Sequence, residues 1–146
     1  VASIYRLLNP TINALLRSPL HGILSWRVMT VRYTGRKSGQ LYATPVSYFR
    51  DGDRVVCFTN GRWRHNFREP RSVRLQIAGA SLQGTALASP ATLPANVATM
   101  SRYFAAVRAD AKFYGVGFDE QGAPDQQAGE RAAVGMTMIA IRLQPR

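Results

Sequence analysis

A chain of 146 residues with 46% hydrophobic and 10% aromatic content is sized for one folded domain with its own core, and it is too apolar for a disordered segment. Lys and Arg number 19 against 8 Asp and Glu, a net charge of +11, and no apolar run reaches the length of a membrane span or reads as a signal peptide. No acid precedes Asp51, whereas Arg6, Arg17, Arg27, Arg32, Arg36, Lys37 and Arg50 all do, so the first third of the chain calls for an anionic partner such as nucleic acid, a lipid head group or a phosphorylated small molecule.

In chain order, residues 1–26 alternate apolar pairs with Arg6, Asn13, Arg17 and His21 at helical spacing, and Asn9-Pro10 and Ser18-Pro19 suit helix starts. They predict short amphipathic helices that pack on the core as a lid or touch a membrane surface. Residues 27–89 change to a two-residue period. RVMTVRYT and LYATPVSYF read as paired strands across the turn GRKSG, with Pro45 marking an edge or a bulge. Asp51-Gly52 turns the chain into RVVCFT, WRHNFREP reads as a short helical turn ended by Pro70, and SVRLQIAG with SLQGTALAS forms a further pair. A helix is expected over 94–111, then a Gly-, Asp- and Gln-rich loop, then a last strand over 135–143. About six mostly antiparallel strands with flanking helices make an α+β, mainly β, single-domain barrel over 1–146.

Cys57, the one cysteine, lies in a strand and cannot form an internal disulfide, which points to a reducing cytoplasm. It has no partner base nearby, and neither His21 nor His65 stands at metal spacing to a cysteine or an acid, so no metal site is expected. The turn Gly35-Arg36-Lys37-Ser38-Gly39 is unusual, because two cations and a hydroxyl sit between two glycines with no acid to balance them. Such a turn can bring backbone N–H groups and charge to a phosphate. It is not a Walker loop, since the spacing differs and no helix follows. An aromatic-basic RNA-binding strand and a recognition helix are both missing from the pattern, which argues against nucleic acid.

GRKSGQLYATPVSYF, the W-x-x-N-F step at Trp63 to Phe67 and the following SVRLQIAG together resemble the deazaflavin (coenzyme F-420)-dependent nitroreductase family. The resemblance spans nearly the whole chain. It implies a split β-barrel related to the FMN-binding split barrels, with coenzyme F-420 favoured over FMN. It further implies that Arg36, Lys37, Ser38 and Gly39 hold the phosphodiester and acidic tail of the 8-hydroxy-5-deazaflavin coenzyme. Thr44 and Pro45 would lie along the cofactor, Thr59 and Asn60 would approach the ring, and Trp63 and Asn66 would close the pocket. Tyr42 stands where relatives carry another basic residue, and Tyr114 is the implied proton donor, with Tyr103 and Tyr42 as alternatives. The implied activity is hydride transfer to an enone, a quinone or a nitro compound, in a protein that commonly pairs as a homodimer. A shortened loop at Gly61-Arg62 keeps open a non-catalytic branch that binds fatty acids or other lipids on the same barrel, with membrane association through the N-terminal helices.

Overall fold

The computed structural model describes the backbone of residues 5–7 and residues 28–145 in full. Among the described residues, eight strands form one sheet in the order β1-β3-β2-β6-β7-β8-β5-β4. They are β1 (Tyr5–Leu7), β2 (Val28–Thr34), β3 (Leu41–Ser47), β4 (Phe49–Asp51), β5 (Arg54–Thr59), β6 (Arg71–Ile77), β7 (Ala80–Pro90) and β8 (Thr137–Leu143). Every pairing is antiparallel except β1 with β3. A 3-10 helix (Arg62–Phe67) joins β5 to β6, and three α-helices, α1 (Pro94–Ala106), α2 (Arg108–Phe113) and α3 (Gln126–Ala133), lie between β7 and β8.

The alternation of apolar residues curls this sheet around one core and leaves a second core outside it. Met29, Val31, Val55, Cys57, Leu75, Ile139 and Ile141 point inward with Trp63 and Phe67. The alternate residues of β5 and β8, Val56, Phe58 and Met138, point outward and are covered by Met100, Phe104, Val107, Ala111 and Ala128 of the helices. Both faces of β5 are therefore buried, which is why RVVCFT reads as a continuous apolar run. The Tyr103 hydroxyl donates to the buried Asp110 carboxylate and so ties α1 to α2.

The structure departs from the sequence expectation in two places, Tyr5–Leu7 and the helix over 94–111, while Pro45 meets its expected edge position. Tyr5–Leu7, read as helical, is a strand parallel to Leu41–Ala43, where it satisfies backbone groups on the outer edge of β3. Pro45 lies beyond that short pairing, on a stretch of β3 bonded to β2 alone, so its missing N–H costs no ladder bond. The expected helix over 94–111 is two helices broken at Val107, whose φ of −123° and ψ of 76° leave the helical region. The remaining helices expected in 1–26 lie outside the described residues.

Candidate functional site

The β2–β3 hairpin and the 3-10 helix meet at one end of the barrel. Their contact surface is a cavity of about 560 Å³ whose lining includes Arg36, Lys37, Ser38, Tyr42, Trp63 and Asn66, with Arg62, His65 and Arg68. No carboxylate lines it among the described residues. In a 3-10 helix residues three apart eclipse one another, so Arg62, His65 and Arg68 share one face. The sequence reading missed these three, although their spacing carried the signal.

Trp63 is held hard against the core. Its indole Nε1 donates to Thr59 Oγ1 at 3.0 Å, and the same oxygen accepts from the Gly61 amide at 3.0 Å. Tyr33, which sequence reasoning did not single out, stacks between Tyr42 and Trp63 with centroids 5.7 and 6.0 Å away. Phe67 meets Tyr33 and Trp63 edge-on at 5.3 and 5.8 Å, closing the aromatic wall. Burial pushes the Tyr33 hydroxyl up to about 12, against a smaller opposing effect of its bond to Thr44.

Packing and hydrogen bonds fix the basic turn. Gly35 lies against the Tyr42 ring, and a Cβ there would meet Tyr42 Cε2 at 2.6 Å and Ser38 Oγ at 2.7 Å. Gly39 takes φ +69°, which glycine adopts without strain. The glycines were expected to bare the turn's amides to an anion. Instead the Gly35 amide donates to Gln40 O, the Gly39 amide to Gly35 O, and the Gln40 amide to Ser38 Oγ. The Arg36 amide donates to Asn66 Oδ1 at 2.7 Å, while Asn66 Nδ2 donates to Trp63 O at 2.9 Å. Four amides are thus spent, and the positive charge of the turn rests on the Arg36 and Lys37 side chains. Asn66 rivets the turn to the helix that carries Trp63.

His65 records the resulting field. Desolvation, then the charges of Arg64, Arg68, Arg36 and Arg62, hold its imidazole below the usual 6.5. Its Nδ1 lies 3.0 Å from Arg68 Nη2, where it accepts a hydrogen bond in the neutral ring.

The remaining expected residues sit elsewhere. Thr44 is fully buried and bonds Tyr33, and Pro45 is buried beside it. Asn60 is exposed, and its carbonyl accepts from Arg64 Nη1 at 2.8 Å. Tyr114 packs on Phe104 and Phe113 in the outer core, where burial and the neighbouring Asp110 push its hydroxyl up to about 12. It does not line the cationic cavity. Tyr103 lies in that outer core too.

Residues 17–119 match the family model described as F420H(2)-dependent quinone reductase. The chain belongs to this family. Coenzyme F-420 is accordingly its cofactor, and its activity is F-420-dependent reduction. Solved structures share the split-barrel fold of the quinone reductase family member. It resembles a FAD-binding protein from Mesorhizobium loti at 14% identity and a TM-score of 0.52, covering 88% of this chain and 91% of that one. It also resembles a candidate pyridoxamine 5'-phosphate oxidase from Listeria innocua at 16% identity and a TM-score of 0.50, covering 86% and 91%. No curated protein sequence matches the chain.

Proposed function

We propose that this chain reduces a small quinone with hydride from coenzyme F-420 bound in the cationic cavity. The observation that carries the reading is the cavity itself, where Arg36, Lys37, Arg62 and Arg68 surround an aromatic wall with no carboxylate on the lining. The residues present fit a ligand with an anionic end and a flat apolar end. Arg36 and Lys37 hold the phosphodiester and acidic tail, and Ser38 orients Tyr42 through the contact between their hydroxyls at 3.2 Å. Tyr42 offers the ring a flat surface, backed in turn by Tyr33 and Trp63. Once bound, the reduced coenzyme supplies a hydride, and the chain's residues are left to position, exclude water and deliver a proton. Tyr42 is the phenol on the cavity wall, and its hydroxyl also contacts Gln40 Oε1 at 3.3 Å. Quinone is preferred over enone and nitro acceptors because the family description names it. A fatty-acid ligand finds less support, since four permanent cations suit a multiply charged ligand better than a single carboxylate.

The test is a coenzyme titration read by tryptophan fluorescence in a Trp26→Phe background, which isolates Trp63. Arg36→Ala with Lys37→Ala should weaken binding by more than about tenfold, since a charge-assisted contact contributes roughly 1.5–3 kcal/mol. Equal affinity in the double variant rejects this site.

A further inference from the structure

A second cavity, of about 270 Å³, opens between the 3-10 helix and the paired ends of β7 and β8. Arg64, His65 and Arg68 line it from the helix, and Ala88, Ser89 and Thr137 from the strands. His65 and Arg68 also line the coenzyme cavity, so the two spaces adjoin along that pair, whereas Arg64 lines only the second. The lining is rich in donors. Arg64 Nη1 donates to the carbonyls of Asn60 and Gly61 at 2.8 and 2.9 Å, which fixes the side chain and leaves Nε and Nη2 unspent. Arg68 can only donate, so its 3.0 Å contact makes His65 Nδ1 the acceptor and puts the neutral ring's proton on Nε2. Ser89 Oγ accepts from Asn96 Nδ2 at 2.8 Å and keeps its own hydrogen to give. No carboxylate answers these groups. Neither Arg64 nor Arg68 forms an ion pair among the described residues, and residues 1–27 contain no Asp or Glu. Glu69, next to Arg68 in the chain, lines neither cavity.

We propose that this second cavity is the acceptor site, and that the acceptor is a quinone bearing a carboxylate or sulfonate seated between Arg64 and Arg68. The inference rests on the coenzyme occupying the first cavity. Guanidinium forks match the paired oxygens of such an anion, and the Ser89 and Thr137 hydroxyls stand on the opposite side. Ala88, which packs on the inner core, offers the ring an apolar contact. Adjoining spaces, one for each reactant, suit a transfer that needs reacting atoms about 3–3.5 Å apart. The quinone gains the hydride and one proton to become the hydroquinone, while its charged substituent is unchanged and serves as a handle.

Amide NMR of the full chain without coenzyme, titrated with 1,4-naphthoquinone-2-sulfonate, reads the site in the absence of turnover. Saturable shifts are expected at Ser89 and Thr137, and affinity should fall by about tenfold or more in Arg64→Gln as a charge-assisted contact is lost. Arg64→Lys keeps the charge and should recover part of that loss, which a general folding defect would not. With reduced coenzyme present, the kcat/KM preference for the sulfonate over uncharged 2-methyl-1,4-naphthoquinone should shrink by a similar factor in Arg64→Gln. A coenzyme titration that fails while the Ser89 and Thr137 shifts persist rejects the coenzyme reading and leaves the anion-binding cavity standing. Shifts confined to residues 36–39, or a sulfonate preference that is the same in the parent and Arg64→Gln, overturn the acceptor site.

Discussion

His65 is the side chain whose titration reports most directly on the cationic cavity. Its folded pKa lies below 6.5, so the ring is neutral near pH 7, and protonating it as pH falls below 6.5 costs the folded state stability. An anion in the cavity opposes the four arginine charges and favours the protonated ring. An NMR titration should therefore find the His65 midpoint below that of free histidine, moving upward when the coenzyme is added. A midpoint indifferent to coenzyme would mean that the anion binds elsewhere. Thr59 acts at the same scale, because one hydroxyl oxygen accepts from both Trp63 Nε1 and the Gly61 amide. Thr59→Val keeps the shape and orphans a buried indole N–H, which should cost about 1–3 kcal/mol in urea unfolding, whereas Thr59→Ser should recover most of it.

At the scale of elements, the working unit is a hairpin bolted to a 3-10 helix. Neither half makes the cavity alone, since the hairpin brings Arg36, Lys37 and Tyr42 and the helix brings Arg62, Trp63, His65 and Arg68. Asn66 is the bolt, bonding Arg36 N on one side and Trp63 O on the other. Asn66→Ala should leave global stability within about 1 kcal/mol, because the Arg36 amide is exposed enough to find water. Amide exchange at Arg36 should nevertheless speed up, and coenzyme affinity should fall as the turn loses its fixed position. Unchanged exchange and affinity together would show that the turn is held by its glycines and Ser38 alone.

For the whole molecule, the curled sheet separates chemistry from support. The inner core anchors the aromatic wall through Tyr33, Trp63 and Phe67, while the outer core braces β5 and β8 from behind. Cys57 lies in the inner core at 1% exposure, and burial pushes its thiol up to about 12. A thiol reagent such as DTNB should not react with the native protein. Its reaction rate in rising urea should follow global unfolding, and fast native-state labelling would show that the barrel opens locally.

Local sequence determined much of this protein. Two-residue alternation specified β2 and β6, turn chemistry specified the Gly35–Gly39 and Asp51-Gly52 reversals, and an acid-free stretch of cations specified the positive charge of the first third. These features are short-range, and a residue and its near neighbours settle them. Tertiary structure alone decided the rest. Strand pairing set Arg32 against Arg74, packing put Tyr33 between Tyr42 and Trp63, and the fold spent the Gly35 and Gly39 amides of the basic turn on its own closure. The same packing left Tyr114 in the outer core and gathered Arg62, His65 and Arg68 on the cavity. Each depends on register or on contact between segments distant in the chain, and periodicity carries no information about which distant segment will be met.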